Sequence, residues 1–208
     1  MTPDTDDRAE GPLLERLLAG DEAAFAGLVA SHHASLLRLA STFVSDRAAA
    51  EEVVQDTWLA VLTGLRTFER RASLKTWIFR ILVNRARTRG ARDGRMVTFS
   101  ALEEPDGDPE ALMHRFSTRG RWTQPPALWP ERNPEELLLG DETANCLQDA
   151  IAALPPSQRA VVTLRDVHGI EAREVCNILE ISETNQRVLL HRARTRVRAA
   201  LEKHLRRD

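Results

Sequence analysis

The polar residues near the C-terminus have the chemistry needed to read DNA bases. The run Thr184-Asn185-Gln186-Arg187 opens a segment whose apolar residues recur every three or four positions, which predicts a helix with this run in its first turn. Asn and Gln side chains pair with adenine, and Arg with guanine, through two hydrogen bonds each. Basic residues further along better suit phosphate contacts; these are His191, Arg192, Arg194 and Arg198.

A second basic segment, TFERRASLKTW at 67–77, interleaves cations with Phe68 and Trp77. Aromatic rings between cations are typical of proteins that bind single-stranded or melting DNA, because exposed bases stack on the rings or enter pockets. Trp77 also fits a second interpretation, as a core residue, and Phe68 fits either. The segment therefore favours nucleic-acid binding without deciding the role of each ring.

The charge pattern supports two polyanion-binding surfaces. The whole chain has a net charge of −2, but residues 66–95 carry +8 and residues 184–208 carry +6, whereas residues 1–24 carry −5. Solvated helix faces usually mix both signs, so segregated blocks indicate binding surfaces.

Catalytic and metal-binding patterns are not found in the sequence. It contains no phosphate-binding loop, metal cluster or nucleophile constellation, and the adjacent His32 and His33 point to different helix faces. Cys146 and Cys176 form no disulfide framework, and we interpret them as thiols on helices, with a redox or zinc role as the unsupported alternative. We predict a protein that is not an enzyme and needs no cofactor, metal or small-molecule substrate.

Helices must position both basic segments, because Ala, Leu and Arg are abundant and there is no Tyr. We predict an all-α fold of two small helical domains, at 12–94 and 141–208. In the first domain, Asp21 caps one helix, Ser45-Asp46 starts the next and Ser73 caps a third. In the second, Pro155-Pro156 separates two helices, Gly169 provides a left-handed stop, and two further helices meet at Ile181-Ser182 with helix-turn-helix spacing.

A linker is predicted at 95–140, because this segment holds six Pro residues. Trp122 and Trp129 indicate that part of it packs on a domain or a partner. No run of about eighteen apolar residues is present, so we expect no membrane insertion. The acidic, polar N-terminus does not resemble a signal peptide, and we expect a cytoplasmic protein.

Two stretches resemble a known family. AAAEEVVQDTWLAVLTGLRTFERRASLKTWIFRILVNRARTR resembles the second conserved region of extracytoplasmic-function (ECF) sigma factors, of the sigma-70 family. ALPPSQRAVVTLRDVHGIEAREVCNILEISETNQRVLLHRARTRVRAAL resembles their fourth region. The resemblance implies a factor that binds core RNA polymerase and directs it to promoters through −10 and −35 elements. A stress or envelope response is also implied, with an anti-sigma factor as partner that could hold the chain at a membrane.

The resemblance also implies roles for particular residues. The surface that docks on core polymerase would include Asp46, Glu51, Gln55, Asp56 and Trp58. The −10 reader would include Phe68, Arg70, Arg71, Ser73, Lys75, Thr76, Trp77, Arg80, Asn84 and Arg87. The −35 reader would include Glu183, Thr184, Asn185, Gln186, Arg187, His191, Arg192 and Arg194.

The sequence departs from the family pattern at both readers. Thr88 stands where family members often have Asp, and Thr184-Asn185-Gln186-Arg187-Val188-Leu189 replaces the frequent Gly-Thr-Val-Lys-Ser-Arg. The promoter sequence therefore cannot be copied from better-known members. The alternative function, a helix-turn-helix regulator that acts without polymerase, explains 141–208 but leaves 46–92 without a role.

Overall fold

The computed structural model describes residues 5–99 and 141–205, with side chains at 10–99 and 144–204. Every regular element in these ranges is helical, which confirms the predicted all-α class. The chain divides into two compact units, residues 1–97 and 98–208. The predicted linker lies almost entirely outside the described residues, as do Trp122 and Trp129. No helix in the described ranges is long and apolar enough to cross a membrane.

The described part of the N-terminal unit, from residue 5 onward, contains four α-helices. They are α1 (Thr5–Leu18), α2 (Glu22–Ala40), α3 (Arg47–Gly64) and α4 (Leu74–Arg92). A short 3₁₀ turn, Leu65–Thr67, follows α3 and leads into residues 68–73, which we call the basic loop. Helices α3 and α4 pack together with α2 around fully buried side chains such as Leu36, Phe79 and Leu82.

The predicted caps in this unit are confirmed. The side chains of Asp21, Asp46 and Ser73 accept hydrogen bonds from backbone N–H groups in the first turns of α2, α3 and α4. Each cap satisfies a donor that the helix itself leaves unpaired.

Two boundaries differ from expectation. Helix α1 begins at Thr5, although the helical run was expected from residue 12. Helix α2 ends at Ala40, although its apolar rhythm continues to Phe43. The N–H and hydroxyl groups of Ser41 both donate to the Leu37 carbonyl, and the chain turns there while Phe43 remains buried. The apolar spacing therefore predicts which residues are buried, but it does not show where the helix ends.

The described helical part of the C-terminal unit, residues 141–205, contains four α-helices. They are α5 (Asp141–Ala152), α6 (Pro156–Val162), α7 (Ala172–Leu179) and α8 (Glu183–Leu205). Pro156 opens α6, where its missing N–H costs nothing. The helix expected at 157–167 changes at Thr163 into one π-helical turn, Thr163–Val167, and Gly169 then has the predicted left-handed conformation, with φ of 65°.

Helices α7 and α8 form the predicted helix-turn-helix. Glu180 adopts a left-handed conformation with φ of 54° and ψ of 47°, which ends α7. The hydroxyl of Ser182 then accepts the N–H of Asn185 at 3.1 Å, so α8 begins at Glu183, one residue earlier than expected. Helix α8 packs against α6 and α7, and α7 packs against the π-helical turn; Val175, Ile178 and Leu189 are among their buried side chains.

Candidate nucleic-acid interface

An aromatic pair lies at the base of the basic loop. The rings of Phe68 and Trp77 are 5.0 Å apart between centroids and inclined at 38°, and both side chains are partly exposed. Gly64 lies beneath Trp77, because a Cβ placed at Gly64 would be 3.2 Å from Cζ2 of the indole. Trp77 is therefore neither a fully buried core residue nor a free one. The pair presents accessible ring surface, which a nucleic-acid base could contact.

Cations surround this pair. Arg70 and Arg71 are exposed in the basic loop, and Lys75 is partly exposed in the first turn of α4. Arg71 forms an ion pair with Glu69 at 2.7 Å, but both side chains are largely in solvent, where such a pair is weak. A phosphate group can therefore compete for these cations.

The hydroxyl groups in this region stabilise the local structure. The Ser73 hydroxyl accepts the N–H of Thr76 at 3.1 Å and donates to the Thr76 hydroxyl at 3.0 Å. Thr76 is buried. These two expected −10 residues are therefore held in the N-cap of α4 in the free protein.

Sequence reasoning missed one residue at this location. The Glu10 carboxylate, on α1, accepts a hydrogen bond from the backbone N–H of Leu74, the first residue of α4. Glu10 shares a face of α1 with the buried Leu14 and Leu17, four and seven positions later. An acidic residue in line with a buried apolar stripe was the available signal, but its partner 64 positions away could not be read from spacing.

The outer surface of α4 continues the basic surface from the loop. Arg80 and Asn84 are exposed, and Arg87 is partly buried; their spacing of four and three residues aligns them on one helix face. Two other arginines of α4 lean towards α3 instead. Arg85 lies 3.6 Å from Asp56, and Arg89 lies 2.7 Å from Glu52.

The residues expected to dock on polymerase differ in how accessible they are in the structure. Gln55 and Asp56 are exposed on α3, whereas Glu51 pairs with Arg47 at 2.7 Å. Asp46 caps α3, and the hydrogen bond from the N–H of Ala49, at 2.8 Å, is the main cause that lowers the pKa of its carboxyl.

Trp58 does not lie on this surface, contrary to expectation. It is only 8% exposed and packs edge-on against Phe25, with ring centroids 5.9 Å apart. The residues of α3 that share the outer surface with Gln55 are instead Leu59 and Leu62, 65% and 57% exposed. Their exposure could not be read from the sequence, because apolar residues at helical spacing usually face a core.

The first turn of α8 is only partly available to a ligand. Glu183, Thr184 and Arg187 are exposed, and Arg187 contacts Glu183 at 3.2 Å. The Asn185 side-chain amide donates to the backbone carbonyl of Phe99, whose ring is buried in the C-terminal unit. Glu183, Thr184 and Arg187 are therefore the residues of this turn whose side chains are most accessible to a ligand.

Two expected DNA-facing residues lie inside the unit. Gln186 is 2% exposed and Arg192 is 5% exposed. Each residue of a helix is rotated by about 100° from the last, so four consecutive side chains cannot share one surface. Gln186 aligns with the buried Leu189 and Leu190, and Arg192 aligns with Val188. The core face of α8 therefore includes both residues.

Two further cations of α8 form ion pairs within the unit. Arg194 makes two hydrogen bonds to Asp166, at 2.7 and 2.8 Å, and these bonds raise the pKa of Arg194. Arg198 pairs with Glu202 at 2.8 Å, and His191 is partly buried. Phosphate contacts by Arg194 would require exchange of its carboxylate partner.

Comparisons with known proteins decide what this pair of units is. The family model for Sigma-70 region 2 matches residues 28–96, and the model for Sigma-70, region 4, matches residues 144–197. The chain belongs to the sigma-70 family of RNA polymerase sigma factors. As a sigma factor it directs core RNA polymerase to promoters, and the regulator alternative is not favoured, because region 2 covers the part of the chain that a regulator leaves without a role.

Relatives confirm the ECF group. The sigma factor is 28% identical over 194 residues to the RNA polymerase sigma-H factor of Pseudomonas aeruginosa, covering 93% of this chain and 94% of the relative. It is 29% identical over 183 residues to the ECF RNA polymerase sigma-E factors of Salmonella typhimurium and Escherichia coli, covering 88% of each chain.

Solved structures share the fold. CnrH, solved in complex with the cytosolic domain of CnrY, is 23% identical with a TM-score of 0.52 and covers 94% of this chain and 98% of its own. RpoE from Bartonella quintana, solved with the anti-sigma factor NepR, is 20% identical with a TM-score of 0.54, covering 86% and 96%.

Proposed function

We propose that the N-terminal unit reads the −10 element with its basic loop and α4, and that the C-terminal unit reads the −35 element with the exposed start of α8. The observation that carries this assignment is the accessible Phe68–Trp77 pair beside exposed Arg70 and Arg71. Stacking surface surrounded by cations suits a strand whose bases have left the duplex. On α8, Arg187 suits a guanine in the major groove.

Docking on core polymerase is assigned to the outer surface of α3. Gln55 and Asp56 supply polar contacts there, and the exposed Leu59 and Leu62 add apolar area. An exposed apolar patch beside polar residues is typical of a protein–protein contact. Trp58 supports this surface from within, because it anchors α3 to Phe25 of α2.

Both elements can be reached only if the two units lie well separated along the promoter. The elements lie about 25 base pairs apart, which is roughly 85 Å of duplex. The segment 95–140 exceeds this distance when extended at about 3.3 Å per residue. Polymerase would hold the units at the required spacing, so the chain without polymerase is expected to bind promoter DNA weakly.

Run-off transcription with purified core polymerase and a pooled library of genomic promoter fragments tests the assignment. Transcripts that require the chain reveal both promoter elements. Arg187→Ala is expected to relax preference at one −35 position, and a well-made Arg–guanine pair contributes about 1–3 kcal/mol of discrimination. Lys203→Ala, an equal loss of charge far along α8, is the control and should leave −35 preference unchanged.

The core-docking surface is tested separately. Asp56→Ala is expected to weaken binding to core polymerase and to leave −35 preference unchanged. A chain that neither binds core nor starts transcripts would contradict the assignment of both surfaces.

An anti-sigma factor is the proposed regulatory partner. Support comes from the structural neighbours, of which RpoE was solved with an anti-sigma factor. An anti-sigma factor that copurifies with the chain would hide its transcription activity. We therefore expect the transcription activity of a preparation that contains a second protein to rise after denaturing purification and refolding. Unchanged activity of a preparation shown to contain a second protein would contradict an inhibitory partner. Attachment to a membrane through that partner belongs to the same proposal.

A further inference from the structure

Helix α1 contacts the residues on either side of the basic loop. It packs against the 3₁₀ turn Leu65–Thr67, which enters the loop. Its Glu10 carboxylate accepts the N–H of Leu74, which leaves the loop. Leu14 and Leu17 bury the same face of α1 in the unit, so Glu10 is carried by a fixed helix rather than by a free chain end.

The N-terminus of α4 explains why an acidic residue occupies this position. The first turn of a helix has unpaired N–H groups and a partial positive charge. Ser73 satisfies the N–H of Thr76, and Glu10 satisfies that of Leu74, so the two acceptors come from different parts of the chain. A hydrogen bond to a carboxylate is stronger than one to a neutral acceptor.

The loop between these contacts holds a conformation that needs support. Arg70 has φ of 54°, in the left-handed region that residues with a Cβ rarely adopt. Phe68 lies at one end of the loop, and Trp77 lies one turn into α4. A shift of the start of α4 relative to the 3₁₀ turn would separate the two rings and redirect the cations between them.

We propose that Glu10 is a positioning residue for −10 reading: its bond to Leu74 fixes the start of α4 so that the Phe68–Trp77 pair and the loop cations keep one arrangement. This inference rests on the proposed −10 function of the basic loop. It assigns a role in promoter melting to α1, which lies outside the region 2 match at 28–96.

The test compares Glu10→Ala, Glu10→Gln and Glu15→Ala, each assembled with core polymerase. Glu15 is exposed on the same helix, so its variant is the matched control for charge. Three probes are measured: a forked promoter DNA with a single-stranded −10 segment that carries 2-aminopurine, a −35 duplex, and core polymerase itself. Thermal unfolding of each variant confirms that it is folded.

Glu10→Ala is expected to bind the forked DNA roughly tenfold more weakly, because it lacks a hydrogen bond to a charged group. The change in 2-aminopurine fluorescence on binding should also be lost. Its affinities for the −35 duplex and for core should equal those of the unsubstituted chain. Glu10→Gln keeps an acceptor oxygen without the charge and should restore most of the fluorescence change. Glu15→Ala should match the unsubstituted chain on every probe.

Two results would overturn the inference. Equal behaviour of Glu10→Ala and Glu15→Ala would show that the contact has no role in reading. An equal loss by Glu10→Ala on all three probes would show that Glu10 supports the unit as a whole. Failure of the unsubstituted chain with core to bind the forked DNA or to change 2-aminopurine fluorescence would instead refute the proposed −10 function, and the inference would fall with it.

Discussion

At the residue scale, several side chains assigned to binding also hold the free protein together. Ser73 and Thr76 form the cap of α4, and Asp46 forms the cap of α3. Alanine substitution at these positions changes folding and binding at once. Conservative variants that keep one property and remove the other are therefore the informative ones.

The cap at Asp46 predicts a specific acid sensitivity. The hydrogen bond from Ala49 holds the pKa of Asp46 below its usual value of 3.8. A carboxyl with a lowered folded pKa stabilises the fold at pH values above the unfolded pKa, and this contribution is lost as the pH falls through the folded pKa. Asp46→Asn keeps a capping oxygen but no charge. We expect urea midpoints of this variant to fall less between about pH 5 and pH 2.5 than those of the unsubstituted chain.

The control for this measurement is Glu171→Gln. Glu171 precedes α7 at the equivalent position, but its side chain makes no capping hydrogen bond. If the urea midpoint of Asp46→Asn falls with pH as steeply as that of the control, the result would contradict a charged cap at Asp46.

At the element scale, Gly90 in α4 lies in close contact with backbone atoms outside its own helix. A Cβ at this position would lie 2.3 Å from the carbonyl oxygen of Phe43 and 2.8 Å from that of Arg95, and both are backbone atoms that cannot move aside alone. The last turns of α4 therefore press directly on the turn between α2 and α3. Only glycine permits this contact.

Alanine at two glycines should have opposite effects on stability. Gly90→Ala is expected to lower the free energy of unfolding by about 1–3 kcal/mol through overpacking. Gly27→Ala on α2, where a Cβ would meet nothing within 4 Å, should raise it by about 0.5–1 kcal/mol through helix propensity. Chemical denaturation of both variants measures the difference. A stabilising Gly90→Ala would contradict the close packing of α4 on this turn.

Local signals were readable from the sequence, and long-range ones were not. The caps at Asp21 and Ser73, the proline at the start of α6 and the left-handed Gly169 depend on a few neighbouring residues, and the structure confirms each of them. The end of α2 depends on where the chain must turn to pack, and apolar spacing could not place it.

For the candidate site, too, the sequence predicted local features but not long-range ones. The structure has a loop at 68–73 and a helix start at Glu183, where the sequence places the two proposed readers; their function as readers stays a prediction. Which of their side chains are exposed depends on what the rest of each unit covers, and Gln186, Arg192 and Trp58 are buried for that reason. Glu10 was missed because its partner is distant in sequence.

At the scale of the whole molecule, each unit has its own buried core, and promoter reading needs both. The cores centre on side chains such as Phe79 and Leu82 in one unit and Leu164 and Ile178 in the other. The two units gain combined affinity for promoter DNA because they are joined in one chain. Once one unit is bound, the joining segment keeps the other at a high effective concentration near its DNA element.

Cutting the chain between the units should therefore abolish specific initiation without unfolding either half. A protease site inserted beside Gly120 allows the same preparation to be tested before and after cleavage. We expect run-off transcripts to fall at least about tenfold after cleavage, because the −35 reader then binds from dilute solution. Circular dichroism should show unchanged helix content. Full transcription by the cleaved mixture would contradict the need for a tether.

The contact between Glu10 and Leu74 bears on how promoter specificities are exchanged between sigma factors in synthetic gene circuits. A chimera cut at residue 28, where the region 2 match begins, would place a foreign first helix over the transplanted loop. Such a hybrid would fold and bind polymerase while reading its new −10 sequence loosely. If Glu10 positions the −10 reader as proposed, the segment to transfer from this chain begins with α1, and libraries built from residue 5 onward should yield more orthogonal promoters than those built on the family boundary.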